Sequence, residues 1–73
     1  MGVDIAKYTI HKVMKKAGAK KVSLEAAELL AKYLEKVAQD ITRQAAKIAE
    51  ESGRITIKEK DIRLVLEIRG EEI

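Results

Sequence analysis

The sequence has no cysteine and only one histidine, His11. Disulfides and thiolate metal sites are therefore excluded, and a single histidine argues against a structural zinc site. No apolar run approaches the roughly 20 residues that a membrane helix requires. No signal peptide precedes the domain, so we expect a cytoplasmic protein without a membrane partner. Proline and asparagine are also absent while 37% of the residues are charged, a composition typical of thermophile proteins.

The same absences leave no recognisable catalytic set. There is no glycine-rich phosphate loop, no cysteine nucleophile, and no acidic pair placed beside a nucleophile. His11 is expected on the surface of the first helix rather than in a ligand role. We therefore predict a protein that is not an enzyme, with no catalytic residues, no cofactor, no metal and no small-molecule substrate.

The chain is small but not disordered, because 47% of its 73 residues are apolar. A single core of this size rarely supplies more than about 3–5 kcal/mol, so small domains usually recruit a disulfide, a metal or a partner chain. With the first two excluded, we expect a partner chain to provide the missing stability.

The net charge of +3 is unevenly distributed. Residues 1–22 carry six lysines against Asp4, residues 23–52 have an acidic excess of two, and residues 53–73 are balanced. Basic charge is thus concentrated at one end of the chain, which favours a local anion-binding surface.

Glycines mark the ends of three runs with apolar residues at helical spacing. These glycines are Gly18, Gly53 and Gly70. We predict a single domain over residues 1–73, with helices over residues 4–17, 24–52 and 57–68 and a short acidic tail at 69–73. Asp4 and Ser23 are expected to cap the first two helices, and Thr56 with Glu59 fits a capping box for the third.

The middle helix is too long and too apolar to stand alone. At 1.5 Å per residue, 28 residues span roughly 42 Å, which two short helices of one chain cannot cover. Two such helices crossing antiparallel would cover each other. Link 1 (residues 19–22) of one chain could then pair with link 2 (residues 53–57) of its partner as a short ladder. The residues expected in the dimer core are Leu30, Leu34, Val37, Ile41, Ala45, Ile48, Ile62 and Val65.

Two segments beside the middle helix carry a family resemblance. Residues 15–23 read KKAGAKKVS, and residues 53–62 read GRITIKEKDI, which contains an Arg-x-Thr-(Ile/Val)-Lys-x-x-Asp-Ile pattern. With the helix order, they make residues 5–66 resemble the tail-less archaeal histones. The resemblance implies an all-α histone fold, an intertwined handshake dimer, and binding to double-stranded DNA on the chromosome.

The resemblance also implies individual roles. Arg54 and Asp61 match an ion pair that locks link 2 onto the third helix. The residues matched to DNA contacts, or adding charge beside them, are Lys12, Lys15, Lys16, Lys20, Lys21, Val22, Ser23, Arg54, Thr56 and Lys58. Because such contacts go to phosphates, we expect binding with little sequence preference that bends, bridges or compacts DNA.

The chain departs from the family at three informative positions. Lys12 replaces an arginine, and Ile55 replaces a lysine common in link 2, which removes a positive charge. Glu51 replaces a histidine that helps to build the dimer–dimer contact with the equivalent of Asp61. Two carboxylates there would repel, so we expect a dimer or an unconventional tetramer rather than a continuous filament.

Two other functions remain open at this point. The missing link 2 lysine and the acidic tail favour a histone-fold subunit that forms a heterodimer with another histone-fold chain in a transcription or chromosome complex, with little DNA binding of its own. The other is a plain antiparallel helical dimerisation module that shares only the helix pattern with the family.

Overall fold

The computed structural model describes the backbone of residues 3–71 and the side chains from Ala6 to Glu71. Three α-helices follow in chain order: α1 (Val3–Lys16), α2 (Leu24–Glu51) and α3 (Glu59–Ile68). No β-strand occurs within residues 3–71. The predicted all-α fold with a short, a long and a short helix is confirmed.

The helix boundaries differ from the predicted ones by one or two residues. α1 already includes Val3, so Asp4 lies within its first turn and the prediction that Asp4 precedes the helix as its cap is wrong. α1 and α2 each end one residue earlier than predicted, at Lys16 and Glu51. Residues 72 and 73 of the predicted tail lie outside the described residues.

The start of α3 is the largest local correction, because the predicted Thr56–Glu59 capping box does not form. Lys58 is the residue before the helix, with extended backbone angles of φ −114° and ψ 168°. The backbone N–H of Lys58 donates to the Asp61 carboxylate at 2.7 Å. Asp61 therefore supplies the cap contact, and Thr56 lies upstream of the helix.

All three helices end in the same hydrogen-bonded turn. After α2, the N–H of Gly53 donates to the Glu50 carbonyl and that of Arg54 to the Ala49 carbonyl, both at 2.9 Å. This pair of bonds is a Schellman motif and requires positive φ at its glycine. The glycine φ angles are 113° at Gly18, 75° at Gly53 and 77° at Gly70, as predicted.

The chain divides into two units, residues 1–36 and 37–73, with part of α2 in each. In the first unit, Ala6 and Ile10 of α1 line the same surface depression as Ala31 and Leu34 of α2. Ala27 and Ala31 are buried, one helical turn apart. Small side chains at this spacing let α1 pack closely against α2.

In the second unit, α3 is held against the C-terminal part of α2. Ala45, Ala49 and Val65 are buried. At the far end of α3, Arg69 Nη1 lies 3.8 Å from Asp40 Oδ2 of α2. The pattern of the first unit thus recurs here, with two alanines of α2 one turn apart beneath the short helix.

Large apolar side chains stay in contact with solvent in both units. Leu29 is 71% exposed, Tyr33 62% and Ile68 70%. Among residues 6–71, the buried apolar residues are four alanines and one valine. None of the described helices is long and apolar enough to cross a membrane.

Candidate nucleic-acid interface

Five lysines near the end of α1 and in link 1 form a basic cluster in the first unit. They are Lys12, Lys15, Lys16, Lys20 and Lys21, and all five are exposed. No acidic residue occurs between Asp4 and Glu25 in the sequence. The ion pairs found within residues 6–71 involve none of these five ammonium groups. Within these residues, their charge is therefore available to an external anion.

The backbone of link 1 is fixed to α1 by two side chains. Lys15 Nζ donates to the Lys20 carbonyl at 2.8 Å. His11 Nε2 lies 3.0 Å from the Val22 carbonyl oxygen. With Lys21 and Ser23, the residues His11, Lys15 and Val22 line one open depression. The lysines of link 1 are thus presented from an ordered turn.

His11 corrects the expectation of a plain surface residue. Its side chain is half-buried, and its ring bonds to link 1 across eleven positions of sequence. The sequence held a signal for this, because His11 is next to Ile10 and three positions before Met14, both on the apolar face of α1. A histidine at the border of such a face can reach a neighbouring backbone segment.

Ser23 caps α2 as predicted. Its Oγ accepts a hydrogen bond from the Ala26 backbone N–H at 3.0 Å. This bond satisfies one of the N–H groups that the first turn of a helix leaves without an intrahelical partner. Ser23 and the half-buried Val22 thus join the lysine cluster to the start of α2.

In the second unit, the Asp61 carboxylate organises link 2. Asp61 is only 2% exposed, and it accepts hydrogen bonds from Arg54 Nη1 at 3.0 Å and Arg54 Nη2 at 2.8 Å. Together with the Lys58 N–H, these donors lower the pKa of Asp61 from 3.8 to about 2, the Arg54 hydrogen bonds being the largest cause. Hydrogen bonding to Asp61 likewise raises the pKa of Arg54.

Arg54 has a second contact that shapes link 2. Its Nη1 also donates to the Thr56 carbonyl at 3.0 Å, so the guanidinium closes over the turn that contains Ile55. About a fifth of the side chain, 22%, remains exposed. Since Arg54 is occupied by Asp61 and Thr56, its main role in the described structure is to hold link 2 in place.

Other link 2 residues are open to solvent. Ile55 is 97% exposed, and Thr56 and the adjoining Lys58, the cap residue of α3, are also exposed. The Thr56 hydroxyl and the Lys58 ammonium can donate to an anion, whereas Ile55 offers only apolar surface. Link 2 is therefore a mixed surface with less available charge than the lysine cluster.

Glu51 and Asp61, which the sequence suggested for a dimer–dimer contact, have different surroundings. Glu51 is exposed at the end of α2, whereas the Asp61 carboxylate is buried and bonded to Arg54 and Lys58. An intermolecular contact through Asp61 would have to displace these partners. An intermolecular contact through Glu51 would displace none of these bonds.

The residues predicted for the dimer core keep different amounts of exposed surface. Ala45 and Val65 are already covered by their own chain. Leu34 is 41% exposed. The half-buried members are Leu30, Val37, Ile41, Ile48 and Ile62. Six of the eight thus retain surface that a second chain could cover.

The exposed side chains of the lysine cluster and of link 2 offer charge complementarity to an anion. Within the part of the chain that the structure describes, no group of three or more His, Asp or Glu side chains is placed to hold a metal ion. Exposed ammonium groups and hydroxyls are groups that contact phosphate oxygens. The site is therefore suited to binding a polyanion.

Comparison with known proteins agrees with the helix order. A family model described as "Histone-like transcription factor (CBF/NF-Y) and archaeal histone" matches residues 4–66. An archaeal histone HAN1 subunit from Thermococcus zilligii is 42% identical over 57 residues, which cover 78% of this chain and 85% of that protein. Probable archaeal histone 3 of Methanocaldococcus jannaschii is 36% identical over 55 residues, or 75% and 82% of the two chains.

Proposed function

Because the chain belongs to the family of histone-like transcription factors and archaeal histones, we propose that it binds double-stranded DNA and shapes the chromosome. The observation that carries this proposal is the cluster of five exposed lysines, none of which forms an ion pair within residues 6–71. Its curated relatives carry the name archaeal histone. In this role the protein acts by binding, without catalysis or a cofactor.

Binding of this kind depends on phosphates. Lysine is a flexible point charge that contacts phosphate oxygens and carries no base-reading geometry. Lys12, Lys16, Lys20 and Lys21 would release counterions from the duplex on binding, so affinity falls steeply with salt. We expect little sequence preference from this cluster, since phosphates are the same on every base pair.

The functional unit in this proposal is a homodimer. The apolar surface left on Leu29, Tyr33 and Leu34 is what a second copy would cover. In a handshake arrangement, link 1 of one chain would lie beside link 2 of its partner. The lysine cluster of one protomer would then extend the Thr56 and Lys58 surface of the other.

A gel-shift titration tests the proposal. Several unrelated duplexes are compared at about 50 mM and about 200 mM salt, where a protein that contacts many phosphates loses orders of magnitude in affinity. We expect similar affinities for all duplexes and a steep loss at the higher salt. Absence of binding at about 50 mM salt would reject the proposed function.

A charge-neutralising pair of variants tests the location of the interface. Lys20→Gln with Lys21→Gln removes two charges from link 1, and Lys32→Gln with Lys36→Gln removes two exposed charges from α2 as the matched control. The link 1 variant should reduce the salt slope by about 0.9 for each phosphate that the protein no longer neutralises. Equal slopes for the two variants would show that the cluster is not the interface.

One observation favours a different binding role. Glu50 and Glu51 are both exposed and place negative charge at the end of α2, next to link 2. This charge suits a histone-fold subunit that pairs with another histone-fold chain and binds little DNA itself. Co-purification of a second histone-fold chain, together with weak DNA binding by the homodimer, would support this alternative.

The exposed Glu51 limits assembly beyond the dimer. A second dimer brought against this end of α2 would place like charges together, which opposes continuous stacking. We propose a dimer or an unconventional tetramer that bends or bridges DNA. Light scattering with and without DNA measures this, and a long continuous polymer on DNA would contradict the argument.

A further inference from the structure

Ile55 has the highest exposure among the large apolar residues of the described chain, at 97%. Single exposed apolar residues are common on proteins and require no explanation by themselves. Ile55 differs because it lies in link 2, on the surface proposed above to face DNA. Its position is also held by hydrogen bonds on either side.

The backbone around Ile55 is fixed both upstream and downstream. Upstream, the Gly53 and Arg54 N–H groups donate to carbonyls of α2 at 2.9 Å. Downstream, Arg54 Nη1 bonds to the Thr56 carbonyl, and Lys58 N–H bonds to Asp61. Since an isoleucine is also stiff at χ1, little conformational freedom remains to be lost when its side chain inserts into a partner.

The surroundings of Ile55 favour DNA as that partner. Residues 52–58 contain no acidic residue and two basic ones, of which Arg54 is paired with Asp61 and Lys58 is exposed. Thr56 and Lys58, both exposed, can donate to phosphates beside the isoleucine. Proteins that bend DNA combine such donors with an apolar side chain that enters the minor groove and partly unstacks a base step.

We propose that Ile55 is an apolar wedge that enters the minor groove of the bound duplex, an inference that rests on the proposed function. At this position Ile55 contacts deoxyribose and base edges, where a basic side chain would contact a phosphate. Because unstacking is easiest at pyrimidine–purine steps such as TA, Ile55 gives the protein a modest preference for duplexes that contain them.

The test uses duplexes with 2-aminopurine in a central TA step or in a rigid A-tract, because the fluorescence of this base rises when it unstacks. Wild type is compared with Ile55→Ala, Ile55→Lys and the control Ile68→Ala, which removes another highly exposed isoleucine from the same unit. Affinity, its salt slope and fluorescence are measured, with light scattering on each free protein.

Wild type and Ile68→Ala should raise the fluorescence of the TA duplex more than that of the A-tract. Ile55→Ala should abolish this rise and weaken binding roughly tenfold, as expected when an apolar side chain no longer contacts the groove, with an unchanged salt slope. Ile55→Lys should also abolish the rise, while its salt slope steepens by about 0.9 for each new phosphate contact.

Three results would overturn the wedge. In the first, wild type binds DNA and Ile55→Ala keeps both the fluorescence rise and the affinity, which rejects the wedge alone. The second is dissociation of the free Ile55→Ala protein, which assigns Ile55 to the contact between chains. The third is failure of wild type to bind any duplex at about 50 mM salt, which rejects the proposed function as well.

Discussion

At the scale of single residues, Asp61 is the side chain that joins link 2 to the start of α3. It fixes the start of α3 through the Lys58 N–H and anchors link 2 through both terminal nitrogens of Arg54. A buried carboxylate is tolerated because its oxygens are bonded to charged and backbone donors. Ionised Asp61 therefore stabilises the shape of link 2.

The first prediction concerns pH. The folded-state pKa of Asp61 is lowered from 3.8 to about 2, so the unfolded chain binds more protons in this range. The stability that Asp61 contributes should be complete above pH 3.8 and decline as the pH falls toward 2. Urea unfolding of wild type and Asp61→Asn at fixed chain concentration measures the difference.

In that comparison, the two free energies of unfolding should differ by a constant amount above pH 3.8 and converge toward pH 2. Gln44→Ala, which changes an exposed side chain without a titratable group, serves as the control and should keep a nearly constant difference from wild type. A constant difference between wild type and Asp61→Asn down to pH 2 would contradict the role assigned to Asp61.

The second prediction concerns the cap of α2. Ser23→Ala removes the oxygen that accepts the Ala26 N–H and should cost about 1 kcal/mol of stability. Ser23→Asn should recover most of this loss because asparagine is an equally good cap. Ser52→Ala, beyond the other end of α2, is the matched control. Equal melting temperatures for wild type and Ser23→Ala would disprove the cap contribution.

At the scale of elements, a Schellman turn fixes the C-terminal end of each helix. The three Schellman turns leave Ala19, Arg54 and Glu71 hydrogen-bonded to the last turn of the helix before them. Two of these turns lead into link 1 and link 2. The geometry of the proposed DNA-binding links is therefore set in part by the C-terminal ends of α1 and α2.

The third prediction follows from the turn after α2. A Cβ at Gly53 would meet no atom within 4 Å, but φ is +75°. Gly53→Ala should therefore cost about 1–2 kcal/mol through backbone strain alone. Gly53→Asn should cost less, because asparagine tolerates this conformation. Urea unfolding measures both variants, and an alanine variant as stable as wild type would contradict the strain argument.

At the scale of the molecule, the apolar surface is divided between what the chain covers and what it leaves open. The short helices cover alanines of α2 within each unit, while larger side chains such as Leu29 and Tyr33 remain exposed. Because burial of large side chains supplies most of the hydrophobic stabilisation, folding of this chain should depend on its partner.

The fourth prediction is that thermal unfolding depends on concentration. Dimerisation favours the folded state by mass action, so raising the chain concentration about tenfold should raise the melting temperature. Leu34→Asp, which places a charge on a predicted dimer-core position, should lower the melting temperature and weaken association. Lys32→Asp, on an exposed position of the same helix, is the control. A stable monomer with a concentration-independent melting temperature would contradict the dimer.

Sequence alone determined the three helices, the Ser23 cap and the positive-φ glycines, because each depends on residues within about one turn. It also carried the family pattern, which lies in two short segments. Tertiary structure decided where α3 begins, because Asp61 is held by Arg54 seven positions upstream. It likewise placed His11 against Val22 and left Ile55 exposed. The Arg54–Asp61 and His11–Val22 contacts join residues seven and eleven positions apart, which local periodicity and capping patterns do not encode.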